Sequence, residues 1–401
     1  MSKIPLSRIM LLNVLTLFLF SFKSKSGAFI VTPKVDPYAQ VAEDPSAVEV
    51  VLVFAESFTF PDGEPQNSIP LVMNFDWEAT TNGVHNPTFT FKHGQTAYFR
   101  AINAGERPPI CISIEDHELV LIAADSTFPS PDTGSSLNTI CIGAGSRNEF
   151  YVAFDTPGVY TVYRNAFNFG GIQGPVCDAL YGIPNVTNCV SYDKETIAAT
   201  IVVEAVDNPV PSNPVNVTPR ISSYLEELLQ QPDAGEREVS MDIALFPPIF
   251  QLPFVSSPPG TGLGVNNRLA NANFILGDIR GGTCEDWTVY SNPPGLVAHP
   301  FHVHSVPILI KSIDGVEVEE PFWRDTFPVA YNITGKVCFP PQKESAFLSV
   351  HCHMPHHQDG GMAGYFRLLP TLPSTSSSSF QLSLSGAYLS LMISFGLYLF
   401  A

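Results

Sequence analysis

The chain has 401 residues, of which 14% are charged, and a formal net charge of −18. So acidic a protein is not expected to bind nucleic acid or an anionic lipid surface, because both attract the opposite charge. The length allows two ordinary domains with complete cores. With 36 prolines and 28 glycines, the composition favours short strands and many turns over long solvated helices.

Residues 1–28 are predicted to be a secretory signal peptide. Lys3 and Arg8 precede an apolar run over residues 9–22, and Ser26-Gly27-Ala28 provides a cleavage site of small residues. The run is too short for a typical membrane span. The segment contains four basic residues and no acidic one, so its removal changes the net charge from −18 to −22.

Two regions are predicted to be all-β. Between residues 48 and 205, short apolar and β-branched runs are separated by Gly, Asn, Asp and Pro, which is typical of β-sandwiches. The predicted strands there are Val50–Phe54, Thr88–Phe91, Ala97–Ile102, Leu119–Ile122, Glu149–Phe154 and Val159–Val162. A second β region spans residues 237–370, and no short internal repeat is visible.

Residues 206–236 are predicted to be a linker between these regions. A proline-rich stretch runs from Asn208 to Pro219. The one helical pattern follows it at Ser222–Gln230, with Ser222 or Ser223 as the candidate N-cap.

Residues 371–401 form a serine-rich spacer and an apolar tail. No charged residue follows Arg367, and Ser374–Ser379 lead into a tail from about Gly386 to Ala401. Small residues, a polar spacer and a terminal apolar tail resemble a GPI-anchor signal. A membrane-spanning anchor is the alternative, although the tail is short, contains serines and lacks flanking Lys or Arg.

The seven cysteines suit a secreted protein. If Cys352 is a metal ligand, six remain, and proximity along the chain suggests three disulfides. The suggested pairs are Cys111–Cys141, Cys177–Cys189 and Cys284–Cys338. The middle pair is the best founded, because its loop is short and local. Three glycosylation sequons, which agree with a secretory route, begin at Asn185, Asn216 and Asn332.

Two histidine clusters lie in the last quarter of the chain. They hold seven of the ten histidines, together with a cysteine and a methionine. The first is residues 299–304, His-Pro-Phe-His-Val-His, and the second is residues 351–353, His-Cys-His, followed by His356, His357 and Met362. Two imidazoles, one thiolate and one weak thioether form the ligand set of a blue-copper site.

Strand alternation predicts one multi-histidine site. Alternate residues of a strand share a face, so His302 and His304 are expected to lie together, as are His351 and His353. Two strands that each present such a pair can form the walls of a metal site. A single His-x-His pair is weak evidence, but two pairs, one of them around a cysteine, are hard to explain as packing.

The same alternation predicts a second site on the opposite face. Cys352 points away from its flanking histidines, with His357 and Met362 five and ten residues further along the chain. His299 is expected to supply the second imidazole. His356 is expected to support His357 from beside it without binding the metal.

The other three histidines are predicted to be ordinary surface residues. His85, His93 and His117 lie in turn-like contexts rich in Gly, Glu and Asp.

The two clusters resemble the third and fourth copper-binding motifs of the multicopper oxidases, the family of laccases, ascorbate oxidases and ferroxidases. The family patterns are H-P-x-H-x-H and H-C-H-x3-H-x3-G-M/L, and Gly361-Met362 completes the second here. The resemblance implies copper as the cofactor. It implies type 1 copper ligands at His299, Cys352, His357 and Met362, a type 2 ligand at His302, and type 3 ligands at His304, His351 and His353. Electrons would pass through Cys352 and its two neighbours, His351 and His353.

The upstream region resembles the middle cupredoxin domain of the same family. The likeness rests on Asn82-Gly83, Ala101–Gly105 and Leu121–Asp125. The fold expected is therefore all-β, with two cupredoxin-like Greek-key sandwiches in tandem, at 48–205 and 237–370. Family members open with a further cupredoxin domain carrying H-W-H-G and H-x-H, whereas no histidine precedes His85 here. The resemblance thus implies a complete type 1 site but only half of the ligands of a trinuclear cluster. Three explanations are open: the sequence is truncated, the protein lacks oxidase turnover, or another chain supplies the missing ligands.

The resemblance implies that a reductant is oxidised one electron at a time and that molecular oxygen is reduced. The alternative is a cell-surface blue-copper protein that transfers electrons or binds copper without oxidase turnover. The apolar residues 295–298 favour an organic reductant such as a phenol. A metal-ion reductant is the alternative, since an acidic run at Glu317, Glu319 and Glu320 is of the sign that attracts a metal cation, but a solvated turn is the favoured interpretation of this run. Met362 as axial ligand predicts a potential at the lower end for the class.

Overall fold

The computed structural model describes residues 28, 47–59, 76–105, 110–125, 134, 136–166, 196–209, 223–244, 262–268, 275–295, 298–354, 357–358 and 360–372. Several predictions fall outside these residues: nearly all of the signal peptide, the Cys177–Cys189 pair, the sequons at Asn185 and Asn216, the middle of the linker, His356 and the C-terminal tail. No helix among the described residues has the length and apolarity needed to cross a bilayer.

The first β region folds into two sheets, and all six predicted strands are found. Strands β1–β11 are Ala47–Thr59, Asp76–Thr81, Thr88–Lys92, Thr96–Asn103, Ile110–Ile114, Leu119–Ala124, Ser136–Leu137, Ile140–Ile142, Arg147–Ala153, Gly158–Ala166 and Thr196–Glu204. One sheet has six strands in the order β2-β1-β4-β9-β6-β7, and the other has five in the order β3-β11-β10-β5-β8.

The second β region repeats this architecture. Strands β12–β22 are Asp233–Ala244, Gly262–Val265, Ile275–Arg280, Cys284–Asn292, His299–Val303, Ile308–Ile313, Val316–Arg324, Thr326–Val329, Asn332–Cys338, Ala346–Cys352 and Ala363–Leu369. The sheet orders are β13-β12-β15-β20-β17-β18 and β14-β22-β21-β16-β19. A short helix, α1 (Ser223–Leu228), precedes them and buries two leucines.

The two sandwiches share one topology. If the strands of each sandwich are numbered from one, both contain sheets in the orders 2-1-4-9-6-7 and 3-11-10-5-8. The parallel pairs also correspond, since β1 runs parallel to β4 and β12 runs parallel to β15. The repeat is invisible in the sequence because a fold of this kind depends on the pattern of inward and outward residues more than on their identity.

Equivalent turns in the two sandwiches are built in the same way. Asn82 and Asn266 adopt left-handed backbone angles, with φ of 54° and 52°. Each uses its Oδ1 to accept a 2.8 Å hydrogen bond from a main-chain N–H of the neighbouring strand, that of Val53 and of Ser240 respectively. Asn suits such positions because its short polar side chain offsets the cost of the left-handed conformation.

Each sandwich has its own aromatic core. In the first, Phe99 and Phe150 stack at 5.2 Å between ring centroids. In the second, Trp287 lies 5.4 Å from Phe366. Burial of such rings removes the largest apolar areas from water and dominates the stability of each core. The second core also includes Cys352, so the predicted thiolate ligand emerges directly from packed residues.

Two of the three suggested disulfides are confirmed. Cys111–Cys141 joins β5 to β8, and Cys284–Cys338 joins β15 to β20. Cys352 is the free cysteine of the described residues and is buried. The even number of remaining cysteines therefore agrees with its expected separate role.

The acidic run differs from the prediction. Glu317, Glu319 and Glu320 are exposed as expected, but they lie on strand β18 instead of in a turn. β18 is the edge strand of its sheet, and charged side chains on an edge strand discourage pairing with other chains. The third sequon residue, Asn332, is half-buried at the start of β20.

Candidate metal centre

Strands β16 and β21 bring the two histidine clusters together. They pair antiparallel, with Phe301 opposite Cys352 and His302 opposite His351. Because paired residues of antiparallel strands share a face, one pair points inward to the core and the other points outward. Each of the two histidine clusters is therefore divided between the two faces of the sheet, as strand alternation predicted.

The inward group consists of His299, Cys352 and His357. The Sγ of Cys352 lies 3.8 Å from Nδ1 of His299 and 3.6 Å from Nδ1 of His357, and the two nitrogens are 3.1 Å apart. Ligands held at about 2.0–2.3 Å from a single ion lie roughly 3–4 Å from one another, so the three atoms fit one metal ion. All three residues are buried.

Main-chain hydrogen bonds place Met362 beside this group. Its N–H donates to the carbonyl of His357 at 2.9 Å, and its carbonyl accepts from the N–H of Cys352 at 3.0 Å. The N–H of His357 donates to the carbonyl of Met354 at 3.0 Å, which closes the loop that carries it. The side chain of Met362 is fully buried in the core that contains Cys352.

Burial controls the ionisation of Cys352. It raises the pKa of the thiol to about 12, because the anionic thiolate loses its solvation. Without a metal ion the sulfur is therefore protonated at neutral pH. A bound cation supplies the charge that a buried thiolate needs, and binding must release the thiol proton.

The outward group contains His302, His304 and His351, whose candidate ligand nitrogens all lie within 4.8 Å of one another. The Nε2 atoms of His304 and His351 are 3.0 Å apart. The ring of His353 completes the group, with its centroid 5.5 Å from that of His302 and 5.4 Å from that of His351.

Hydrogen bonds determine which nitrogens of this group face a metal. Nδ1 of His302 lies 2.9 Å from the carbonyl of Asp325, and Nδ1 of His351 lies 2.9 Å from the carbonyl of Cys352. A carbonyl only accepts, so both Nδ1 atoms carry the hydrogen and both Nε2 atoms keep a lone pair. The bond from His351 also links the outward group to the backbone of the inward thiol.

The outward histidines are neutral at physiological pH. Burial is the main cause that lowers the pKa of His351 to about 3 and that of His353 to about 4. Burial also lowers the pKa of His302 well below its usual value, and neighbouring histidines add to the effect. Neutral imidazole is the form that binds metal ions.

The first sandwich closes one side of the outward group. Gly145 has a φ of +79°, and a Cβ built on it would lie 2.3 Å from the ring of His353. Arg147 and Asp125 of the same sandwich bond to Asp325 and Thr326 of the second. Spacing in the sequence gives no signal for these contacts, since they join residues that lie far apart along the chain.

His85, His93 and His117 are not part of either group. His85 is exposed, while His93 and His117 are half-buried in the first sandwich. His117 packs edge-on against Tyr160 at 4.4 Å. Among the described residues, the His, Cys and carboxylate groups that could hold a metal ion are the inward and the outward one.

Tandem Greek-key-type sandwiches with a buried His2Cys group define a cupredoxin-type protein. Sequence models of multicopper oxidases match residues 55–175 and 248–371. The iron transport multicopper oxidase fio1 of Schizosaccharomyces pombe is 22% identical over 331 residues, which cover 75% of this chain and 50% of that protein. The chain thus spans about half the length of this curated relative.

Solved structures show the same fold. A laccase-like multi-copper oxidase, CueO, from Ochrobactrum sp. matches with a TM-score of 0.60 and 18% identity, covering 85% of this chain and 71% of that one. A multicopper oxidase from Campylobacter jejuni, described as a metallo-oxidase, matches with a TM-score of 0.61 and 16% identity, covering 87% and 68%. The chain belongs to the multicopper oxidase family, whose cofactor is copper.

Proposed function

We propose that this chain is a copper-dependent oxidoreductase that takes single electrons from a reductant at the inward group and passes them to the outward group for the reduction of oxygen. The observation that carries the proposal is the position of Cys352. Its sulfur belongs to the inward group, whereas its chain neighbour His351 belongs to the outward one and bonds to its carbonyl at 2.9 Å. Two metal sites back to back on one strand give an electron a short covalent route between them.

In this proposal, His299, Cys352, His357 and Met362 hold type 1 copper. His302 is a type 2 ligand, and His304, His351 and His353 are type 3 ligands. Copper, when bound, supplies one-electron redox chemistry. The chain holds the ligands in place, keeps the inward thiol away from water and presents neutral imidazoles to the outward site.

The outward group supplies four histidines, and the trinuclear cluster of the family takes its other ligands from another cupredoxin domain. The histidines of the first sandwich do not reach the outward group. We therefore infer that oxygen reduction requires ligands from outside the ten histidines of this sequence. Without them, the same geometry supports a blue-copper electron-transfer protein, which is the second candidate function.

The reductant is proposed to be an organic molecule such as a phenol. The support is the apolar character of residues 295–298 just before His299. The relatives point in different directions, since one is named for iron transport and another is described as laccase-like with activity towards lignin model compounds. We also propose a secretory route and a lipid anchor, which the two disulfides and the terminal segments favour.

The test is copper analysis of the purified, copper-loaded protein together with its absorption and EPR spectra. We expect an absorption band at roughly 600 nm from the thiolate–copper bond. Cys352→Ser should abolish this band, and His93→Ala, which changes a histidine outside both groups, should leave it intact. A wild-type protein without the band would contradict the proposal.

Oxygen uptake separates the two candidate functions. Consumption of oxygen by the purified protein, faster with a phenol than with Fe(II), would support an oxidase with an organic substrate and would contradict the inference that outside ligands are required. A blue protein that reduces a one-electron acceptor but consumes no oxygen would favour the electron-transfer function. Faster uptake with Fe(II) would contradict the proposed substrate class.

A further inference from the structure

We propose that Arg147 and Asp125 of the first sandwich are positioning residues for His302. Through Asp325 and Thr326, they hold the imidazole so that its Nε2 faces His304 and His351. This inference rests on the proposed function, because it concerns the orientation of a proposed copper ligand. It adds two residues that never touch the metal and that belong to a different domain.

The contact with His302 is made by Asp325, which joins β18 to β19, and by Thr326, the first residue of β19. These two residues are called the link. Nδ1 of His302 lies 2.9 Å from the carbonyl of Asp325 and also 2.9 Å from Oγ1 of Thr326. The Thr326 hydroxyl donates to Oδ1 of Asp325 at 2.9 Å, so its lone pairs are available to the N–H of the imidazole. One hydrogen is thus shared between two acceptors, and rotation of the ring would break both bonds.

Arg147 holds this link from the other sandwich. Its Nη1 and Nη2 donate to the two carboxylate oxygens of Asp325 at 2.8 and 2.7 Å, a bidentate pair. Nη1 also donates to the carbonyl of Gly145 at 3.2 Å, which fixes the guanidinium on its own domain. The side chain of Arg147 is 9% exposed, so solvent screens the pair only weakly.

Asp125 completes the connection between the sandwiches. It is fully buried, and its two oxygens accept main-chain N–H bonds from Arg147 at 3.1 Å and from Thr326 at 3.3 Å. The carboxylate of Asp125 therefore connects Arg147, which binds Asp325, to Thr326, which contacts His302. Together these bonds fix both the position and the orientation of Asp325 and Thr326.

The competing explanation is that Arg147, Asp125 and Asp325 only hold the two sandwiches together. Buried ion pairs add little net stability compared with apolar contacts, because both charges lose their hydration. They are better suited to fixing geometry, and here the bonds that Arg147 and Asp125 make to the second sandwich end on Asp325 and Thr326, the two residues that contact His302. The inward group lies on the opposite face of the sheet, so loss of the connection should affect the outward group alone.

The experiment compares four variants of the full-length protein. Arg147→Gln removes the bidentate ion pair. Arg147→Lys keeps the positive charge but cannot donate to both oxygens of Asp325 in the geometry of a guanidinium. Thr326→Val removes the hydroxyl next to His302 and leaves the ion pair in place. Arg100→Gln is the matched control, since Arg100 is also paired with carboxylates in the first sandwich but does not contact the second.

Two readouts are used for each variant. Nitrogen-15 NMR of the metal-free protein reports the tautomer of His302, and Cu(II) titration followed by EPR separates non-blue from blue copper. We expect Arg147→Gln and Thr326→Val to lose the pure Nδ1–H tautomer and to weaken non-blue copper binding about 10- to 100-fold, with the blue absorption unchanged. Arg147→Lys should be intermediate, and Arg100→Gln should resemble wild type.

The inference is overturned if both variants keep the wild-type tautomer and non-blue affinity, or if blue and non-blue copper are lost in parallel. If Arg147→Gln does not fold, Thr326→Val still decides, because it leaves the interface intact. Failure of the proposed function would look different: the wild-type protein itself would lack the blue band, while the tautomer of His302 could still be read without metal.

Discussion

The Nε2 atoms of His304 and His351 lie 3.0 Å apart although 47 positions separate the two residues. The Nδ1–H of His351 is engaged by a carbonyl, so its Nε2 presents a lone pair towards the other ring. Partial burial lowers the pKa of His304, and burial lowers that of His351 to about 3, so an added proton does not bridge them at neutral pH. The arrangement favours a metal ion between the two rings.

The outward group should therefore bind a divalent cation in the Cys352→Ser background, where the inward group is disabled. Zn²⁺ at about 100 times its dissociation constant should add roughly 2.7 kcal/mol to the free energy of unfolding. His304→Ala should remove most of this stabilisation, and His93→Ala should not. Thermal denaturation with and without Zn²⁺ measures the effect, and equal shifts in both variants would contradict it.

Metal binding at Cys352 should depend strongly on pH. Burial raises the pKa of this thiol to about 12, so the proton is bound throughout the physiological range and must leave when the metal binds. The apparent affinity for Co²⁺ should rise about tenfold for each unit of pH between 7 and 9, because the proton concentration falls by that factor. Titrations followed by the thiolate–cobalt absorption measure this, and a flat profile would show that the thiol is already ionised.

Gly145→Ala should disturb the outward group more than backbone strain alone explains. Both Gly145 and Gly83 have left-handed φ angles, +79° and +74°, but a Cβ meets the His353 ring at 2.3 Å only at Gly145. Strain costs either variant about 1–2 kcal/mol, and overpacking adds about 1–3 kcal/mol at Gly145. The free energy of unfolding, measured by chemical denaturation, and the copper content of the outward group should both fall further in Gly145→Ala than in Gly83→Ala.

The two disulfides should differ in their sensitivity to reductant. Cys141 is exposed, whereas Cys284 and Cys338 are fully buried. Thiol–disulfide exchange requires access to sulfur, so mild reduction of the folded protein should open Cys111–Cys141 first. Alkylation followed by mass spectrometry measures the order, and simultaneous opening of both pairs would show that reduction proceeds through unfolding.

Local sequence patterns predicted much of the fold. All six strands predicted in the first β region are present, because alternation of apolar residues between turn-forming residues is a local property. The helix prediction was also correct in place, although α1 ends at Leu228 and not at Gln230. Local patterns did not predict the shared topology of the two sandwiches, since strand order depends on pairing between distant segments; only the resemblance to the family implied it.

The sequence by itself separated Cys352 from its flanking histidines, because residues that alternate along one strand must face opposite sides of the sheet. The placement of His299, His357 and Met362 with Cys352 rested on their offsets along the chain and on the resemblance to the family. Only the tertiary structure decided how the groups are supported. Arg147 and Asp325 are 178 positions apart, and their contact follows from the packing of one sandwich on the other, which no local pattern encodes.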